Sequence, residues 1–320
     1  MKTAYRTKAG QLLNAKIEDA LDASALMNVA GKVNLIMTSP PFPLVRKKKY
    51  GNETGQQYVN WLRGLAPRLA DILADDGSIV IEIGNAWEAG KPVMSTLPLE
   101  ALLAFKEAGK LELCQHVICH NPARLPSPAA WVNVERIRLK DSFTHVWWLA
   151  KTQRPRADNR RVLTPYRKDM QRLLSSQKYN AGRRPSGHKV SETGFLTDHG
   201  GAIAPNVVDP ASLPESLMSL SNTGWDAGYR KFCADHGLDP HPARMQPELV
   251  GFFIQFLTEP GDLIVDPFAG SNTTGAVAEA LGRRWLCVEA DEGYARGSQG
   301  RFDVTAGTEK ASSGSGAEAR

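Results

Sequence analysis

Apolar and polar positions fall into two alternating patterns along the chain. Short continuous apolar runs, each closed by a turn signal, alternate with longer stretches whose apolar residues recur at helical spacing. Val33, Leu35, Ile36 and Met37 predict a buried strand over 33–38, preceded by a weaker strand at 11–17 and a helix over 18–30. Tyr58, Trp61, Leu62, Leu65, Leu69, Ile72 and Leu73 predict a helix over 56–74, which Asp75-Asp76-Gly77 stops. A strand at 78–83, a helix at 96–108, a strand at 111–118, a proline-broken loop at 121–128 and a strand at 146–149 follow. Residues 151–240 lose periodicity and read as an irregular insertion. Order returns with a helix over 246–257, whose core face is Leu249, Val250, Phe253 and Phe256. A turn at Glu259-Pro260-Gly261, a strand at 263–265, a helix reaching Leu281 and a strand at 285–288 complete the pattern. The alternation predicts an α/β fold, a Rossmann-like doubly wound and mostly parallel sheet.

Thr38-Ser39-Pro40-Pro41-Phe42 closes the first strong strand. Two prolines end a ladder, because proline fixes φ and has no N–H to donate. The result is a rigid corner at a strand's C-terminal end, where open α/β sheets bind ligands. The Ser39 hydroxyl and the Pro40 carbonyl can accept the two hydrogens of an amino group, and Phe42 can stack on the ring that carries it. Ser39, Pro40, Pro41 and Phe42 are therefore the candidate catalytic residues.

A second constellation lies late in the chain. Asp266-Pro267-Phe268-Ala269-Gly270-Ser271-Asn272-Thr273-Thr274 is a strand end, a glycine-bearing loop and a helix start, the build of a nucleoside site. It is neither GxGxxG nor a P-loop. Glu289 ends the following strand, where a carboxylate can accept both hydroxyls of a ribose. The loop carries no cation for a pyrophosphate, which favours a nucleoside cofactor without phosphates, and S-adenosylmethionine fits. Candidate cofactor-binding residues are Thr38, Asp266, Pro267, Phe268, Gly270, Ser271, Asn272, Thr273, Thr274 and Glu289.

Charge adds a partner. The chain carries +5 overall, yet residues 151–190 hold twelve Lys or Arg against Asp158 and Asp169, a balance of +10 that leaves the remainder at −5. Such a segment is the footprint of a polyanion, most often nucleic acid. Arg46, Lys47 and Lys48 next to the Pro-Pro corner, with Arg183, Arg184 and His188, are the candidate DNA contacts. Cys114, Cys119, Cys233 and Cys287 form no CxxC pair, which predicts a reducing, cytoplasmic setting without disulfides. Cys114, His116, Cys119 and His120 cluster in a strand-like run without a second ligand pair, so no metal site is expected. No transmembrane run and no cleavable signal are expected either. The small polar tail, 304–320, reads as disordered.

The two motifs together resemble those of amino-methylating DNA methyltransferases. The catalytic motif precedes the cofactor motif with the basic insertion between them, which resembles the circularly permuted beta class. His241-Pro242-Ala243-Arg244 resembles the segment that this class places ahead of the cofactor strand. Arg184-Pro185-Ser186-Gly187-His188 and the stretch 200–206 make the chain most similar to cytosine-N4 modification enzymes of the Pvu II type. The resemblance spans about residues 10–302. It implies a site-specific methyltransferase that moves a methyl group from S-adenosylmethionine to cytosine N4 of flipped-out duplex DNA. It also implies double-stranded DNA as partner, allows a cognate restriction endonuclease acting on the same site, and involves no membrane. Its domain plan is a catalytic part at 1–150, a basic target-recognition region at 151–240 and a cofactor-binding part at 241–303. Such enzymes carry a Gly-Asp pair where this chain has Asn14-Ala15, so adenine contact by that acid is not carried over.

Serine ahead of Pro-Pro favours cytosine N4 over adenine N6, whose enzymes carry Asp or Asn there. No cysteine is placed for cytosine-C5 chemistry. An RNA methyltransferase and a non-catalytic DNA-binding regulator are the remaining alternatives.

Overall fold

In the computed structural model, residues 1–42, 54–178, 182–190, 194, 196–213 and 224–302 are described. A sheet of nine strands carries the chain. In chain order they are β1 (Lys2–Arg6), β2 (Gly10–Asn14), β3 (Val33–Thr38), β4 (Leu73–Gly84), β5 (Glu112–His120), β6 (Phe143–Ala150), β7 (Val207–Val208), β8 (Leu263–Asp266) and β9 (Arg284–Glu289). Their spatial order is β1-β2-β9-β8-β3-β4-β6-β5-β7. From β2 through β4 every neighbour is parallel, whereas β6 runs antiparallel to both β4 and β5. Helices α1 (Ile17–Asp22), α2 (Gly55–Ile72), α3 (Leu97–Ala108), α4 (Lys168–Ser176), α5 (Gly224–Asp235), α6 (Pro247–Leu257), α7 (Thr273–Ala280) and α8 (Glu292–Gly297) connect or flank the strands.

Continuous apolar strands are what a sheet covered on both faces requires. Ile36, Val265, Leu286 and Val288 face one side with Tyr58, Leu62, Leu65 and Leu69 of α2 and Phe105 of α3. Leu35, Met37, Ile264, Trp285 and Cys287 face the other with Leu249, Val250, Phe253 and Ile254 of α6 and Val277 of α7. Successive strand residues thus serve opposite cores, as the two-residue repeat demands. Truncating a fully buried residue such as Leu35 to alanine costs ~2–5 kcal/mol.

Several expectations are corrected. The first strand is 10–14, because Ile17 turns inward at the start of α1, and an unforeseen β1 pairs with it antiparallel at the edge. The helix expected over 18–30 breaks into α1 and a single turn at Ser24–Met27. The α2 helix ends at Ile72, before Asp75-Asp76-Gly77. That triplet lies inside β4, where the register against β3 shifts between Val33 and Leu35, so it marks a bulge. The stretch 151–240 is less irregular than its composition implies, since it includes α4 and α5, and Val207 and Val208 add a strand beside β5.

Candidate active site

One cavity of about 1080 Å³ opens at the C-terminal ends of β2, β9, β8, β3 and β4. Single small-molecule sites usually occupy roughly 300–1,000 Å³, so this one has room for a cofactor and a base together. Both sequence motifs open into it. Ser39, Pro40, Pro41 and Phe42 line it, as do Pro267, Phe268, Gly270, Ser271, Thr273 and Glu289.

Phe42 lies over the end of β4. A side chain at Gly84 would bring a Cβ within 2.6 Å of the Phe42 ring, so this glycine is what lets the ring settle there. Trp61 of α2 stands beside Phe268, their ring centroids 5.4 Å apart, and both line the cavity. Gly270 takes φ +53, and its Cα faces the His241 ring, where a Cβ would sit at 3.1 Å. The loop needs glycine there on both counts.

Four residues expected to touch a cofactor do not line the cavity. The Asp266 carboxylate is fully buried. It accepts from Thr38 Oγ1 and Thr274 Oγ1, both at 2.7 Å, and from the Phe268 amide at 3.0 Å. Burial raises its pKa to about 6 against the pull of those donors. Thr38, Asp266 and Thr274 therefore form an internal brace between the two motifs. Asn272, at φ +53, caps α7 by accepting from the Gly275 amide at 3.0 Å, and its own amide donates to the Tyr5 hydroxyl at 2.9 Å. Behind the loop the buried Arg301 guanidinium donates to the carbonyl and the hydroxyl of Ser271, at 2.7 and 2.9 Å.

Glu289 does face the cavity. Its two carboxylate oxygens accept from the amides of Gly270 and Asp291, each at 2.8 Å, which leaves a second lone pair on each for a ligand. Burial raises its pKa. Asn14, where related motifs place glycine, donates to the carbonyls of Glu289 and Ala290 and ties β2 to β9. Ala15 lines the cavity without an acid, and the nearest carboxylate along the chain is Glu18 in the first turn of α1. Glu18 also lines the cavity, with Oε1 held by the Trp61 indole N–H at 2.7 Å.

Across the cavity from this end lie residues that the sequence reading missed. Glu82 accepts from the Thr144 hydroxyl at 2.8 Å, and burial raises its pKa. Arg124 donates to the Phe143 carbonyl at 2.9 Å and lies 3.6 Å from Asp141, whose other oxygen accepts from the Asn85 amide at 2.7 Å. All of these line the cavity. One signal was present, since Glu82 is the sole charge in the apolar run 78–83.

The described nucleic-acid candidates, Arg183, Arg184 and His188, do not line the cavity. Arg183 and Arg184 sit on a hairpin in which Gly182–Arg183 pairs with Lys189–Val190, and the Arg184 amide donates to the His188 carbonyl at 2.8 Å. Arg183, Arg184 and His188 are all exposed. Arg46, Lys47 and Lys48 lie outside the described residues, as does the tail 304–320. Part of the +10 balance is internal. Arg156 pairs with Asp76 and Asp262, at 3.2 and 3.0 Å, Arg160 with Asp158, and Arg161 with Glu259. Among the described residues no cluster of His, Cys, Asp or Glu could hold a metal, and His116 instead shares a 2.9 Å contact with His145. No described helix is long and apolar enough to cross a membrane.

Residues 33–300 match the N6_N4_Mtase family model, described as DNA methylase. Over 303 residues the chain is 38% identical to the type II methyltransferase M.PvuII of Proteus hauseri, covering 94% of this chain and 86% of that one. The DNA adenine methyltransferase YhdJ of Escherichia coli is 37% identical over 91 residues, 28% of this chain and 31% of its own. The solved PvuII DNA methyltransferase (cytosine-N4-specific) superposes with a TM-score of 0.68 at 32% identity, over 94% of this chain and 89% of that one. A putative DNA modification methylase of Thermus thermophilus, solved with S-adenosyl-L-methionine, shares the fold, with a TM-score of 0.54 at 16% identity over 92% and 93% of the two chains.

Proposed function

The chain belongs to the N6_N4 DNA methylase family, and we infer that it transfers a methyl group from S-adenosylmethionine to the N4 amino group of cytosine in duplex DNA. One observation carries this reading: the Ser39-Pro40-Pro41-Phe42 corner and the loop before Glu289 open into the same cavity.

The cofactor end fits its ligand chemically. Glu289 keeps lone pairs for ribose hydroxyls, and Gly270 lets the His241 ring pack against the loop. The Glu18 carboxylate, bonded to the Trp61 indole, and Glu289 stand at this end. When bound, S-adenosylmethionine supplies a methyl group activated by a sulfonium.

An exocyclic amino nitrogen is a poor nucleophile while its lone pair is delocalised into the ring. Ser39 Oγ and the Pro40 carbonyl accept its two N–H bonds and favour the pyramidal nitrogen that can attack. The proline corner fixes both acceptors beforehand, and preorganised partners of this kind are worth on the order of a hundredfold each. Phe42 stacks on the extruded base. The opposite wall suits cytosine, whose ring edge offers two acceptors, N3 and O2. Arg124 is a donor there, since its guanidinium has more N–H groups than the one given to Phe143, and Glu82, its pKa raised by burial, becomes one when protonated. After transfer the methylated nitrogen is strongly acidic, so its proton passes to water and no dedicated base is required.

In this reading residues 151–240 choose the DNA sequence, with the hairpin at 182–190 on the duplex. A restriction endonuclease cutting the same site is the natural companion, and a bacterial cytoplasm the natural setting. Methyl-labelled S-adenosylmethionine tests the substrate class. Label is expected in duplex DNA. Label in RNA of the same sequence, with none in the duplex, would overturn the reading.

A further inference from the structure

Between β5 and β6 the chain makes an excursion, 121–142, whose neck is closed. The Asn121 amide donates to the Ser142 carbonyl at 2.7 Å, Lys140 Nζ to the Pro122 carbonyl at 2.7 Å, and the Asp141 amide to the Ser127 carbonyl at 3.2 Å. Trp131 anchors the far part against Trp87, a cavity residue, at a centroid distance of 5.5 Å. The excursion is therefore held in place, yet it buries little of its own apolar surface. Leu125 is 81% exposed, Val134 78% and Leu139 90%. An exposed apolar patch on a fixed excursion marks a binding surface, where scattered single side chains would not.

Position and charge say what binds. Arg124 and Ser127, on either side of Leu125, line the cavity, and so does Asp141, two residues beyond Leu139. The bonds from Lys140 to Pro122 and from Asp141 to Ser127 hold these two limbs together at the cavity's edge. The excursion, 121–142, carries Arg124, Arg136, Arg138 and Lys140 against Glu135 and Asp141, and Asp141 is engaged with Arg124. Cations around an apolar pair complement a polyanion whose interior is apolar, which is a duplex opened at one base step. DNA-bending proteins use the same combination, inserting apolar wedges between bases while cations hold the backbone.

We propose that Leu125 and Leu139 form a wedge that enters the duplex where the target base leaves it, with Arg136 and Lys140 against the flanking phosphates. The proposal rests on the methyltransferase reading. The wedge opens the step, and the cavity beside it receives the base.

The test measures methyl transfer by wild type and by a Leu125→Ala/Leu139→Ala variant on two duplexes. In one the target cytosine is paired with guanine, and in the other it faces an abasic site. Opening a pair costs a few kcal/mol, so the variant is expected to lose about tenfold or more on the paired duplex. It should match wild type on the abasic one, where no pair needs opening. A variant equally slow on both duplexes, or as fast as wild type on both, overturns the wedge alone. A wild type inactive on both overturns the functional reading and the wedge with it. Dimerisation abolished by the same substitutions would give the patch to a second copy of the chain and also overturn the proposal.

Discussion

Thr38 and Asp266 end adjacent parallel strands, and the Thr38 hydroxyl donates to the Asp266 carboxylate across 2.7 Å. One strand continues into the Ser39 corner and the other into the cofactor loop. The bond therefore fixes the separation of the two halves of the site, and Thr274 secures the same carboxylate from the start of α7.

Thr38→Val keeps the shape and removes the donor. Leaving a buried acceptor short of a partner costs about 1–3 kcal/mol of stability. Transfer should fall more than cofactor affinity, because the change is in spacing and not in a contact. Thr38→Ser should restore both. An unchanged melting temperature and turnover in Thr38→Val would show that the brace is idle.

Asp266 gives a pH signature. Its folded pKa of about 6 lies above the ordinary carboxylate value, so the native state binds the proton more tightly than the unfolded chain. Stability from this group is then greatest at low pH and declines as pH rises from about 4 to about 6, by about 3 kcal/mol. Glu82 and Glu289 shift in the same direction, so the measure is a difference: denaturation of Asp266→Asn should show a flatter decline over that window than wild type. Parallel curves would contradict the assignment.

Glu18 is expected to hold the cationic cofactor where Ala15 offers no acid. Glu18→Gln should weaken S-adenosylmethionine about tenfold in calorimetry, within the range of one lost charged hydrogen bond partly screened by solvent. Unchanged affinity would return Glu18 to its bond with Trp61 alone.

The exposed hairpin at 182–190 should govern salt sensitivity. Replacing Arg183 and Arg184 by alanine removes two phosphate contacts, so the slope of log affinity against log salt should become less steep by about 1.8. The same slope in the variant would move those contacts elsewhere on the chain.

The parts of this architecture legible in the sequence are those set by local chemistry. Short, mostly apolar runs such as 33–38 and 263–265, bounded by turn residues, fit strands buried on both faces, and two prolines in a row end a ladder. Edge elements were not legible, because β1 is short and half polar and the bulge at Asp75-Asp76-Gly77 has the composition of a turn. In the site, residue type was readable and orientation was not. Asp266, Asn272 and Thr274 flank Gly270 and Ser271 in sequence, but only the fold shows that Thr38 and Thr274 both turn onto Asp266 and that Asn272 turns to Tyr5 and Gly275. Glu82 and Thr144 meet across neighbouring strands far apart in sequence, with Arg124 brought beside Phe143 from the excursion between β5 and β6, and no local spacing points from one to another.

The central claim is that this cavity methylates cytosine N4 through Ser39, Pro40 and Phe42. Mass spectrometry of nucleosides from duplex DNA treated with the protein and S-adenosylmethionine tests it most directly. The account predicts N4-methylcytosine with the wild type and its loss with Ser39→Ala, while that variant still binds DNA and cofactor. N6-methyladenine or 5-methylcytosine as the product would contradict it.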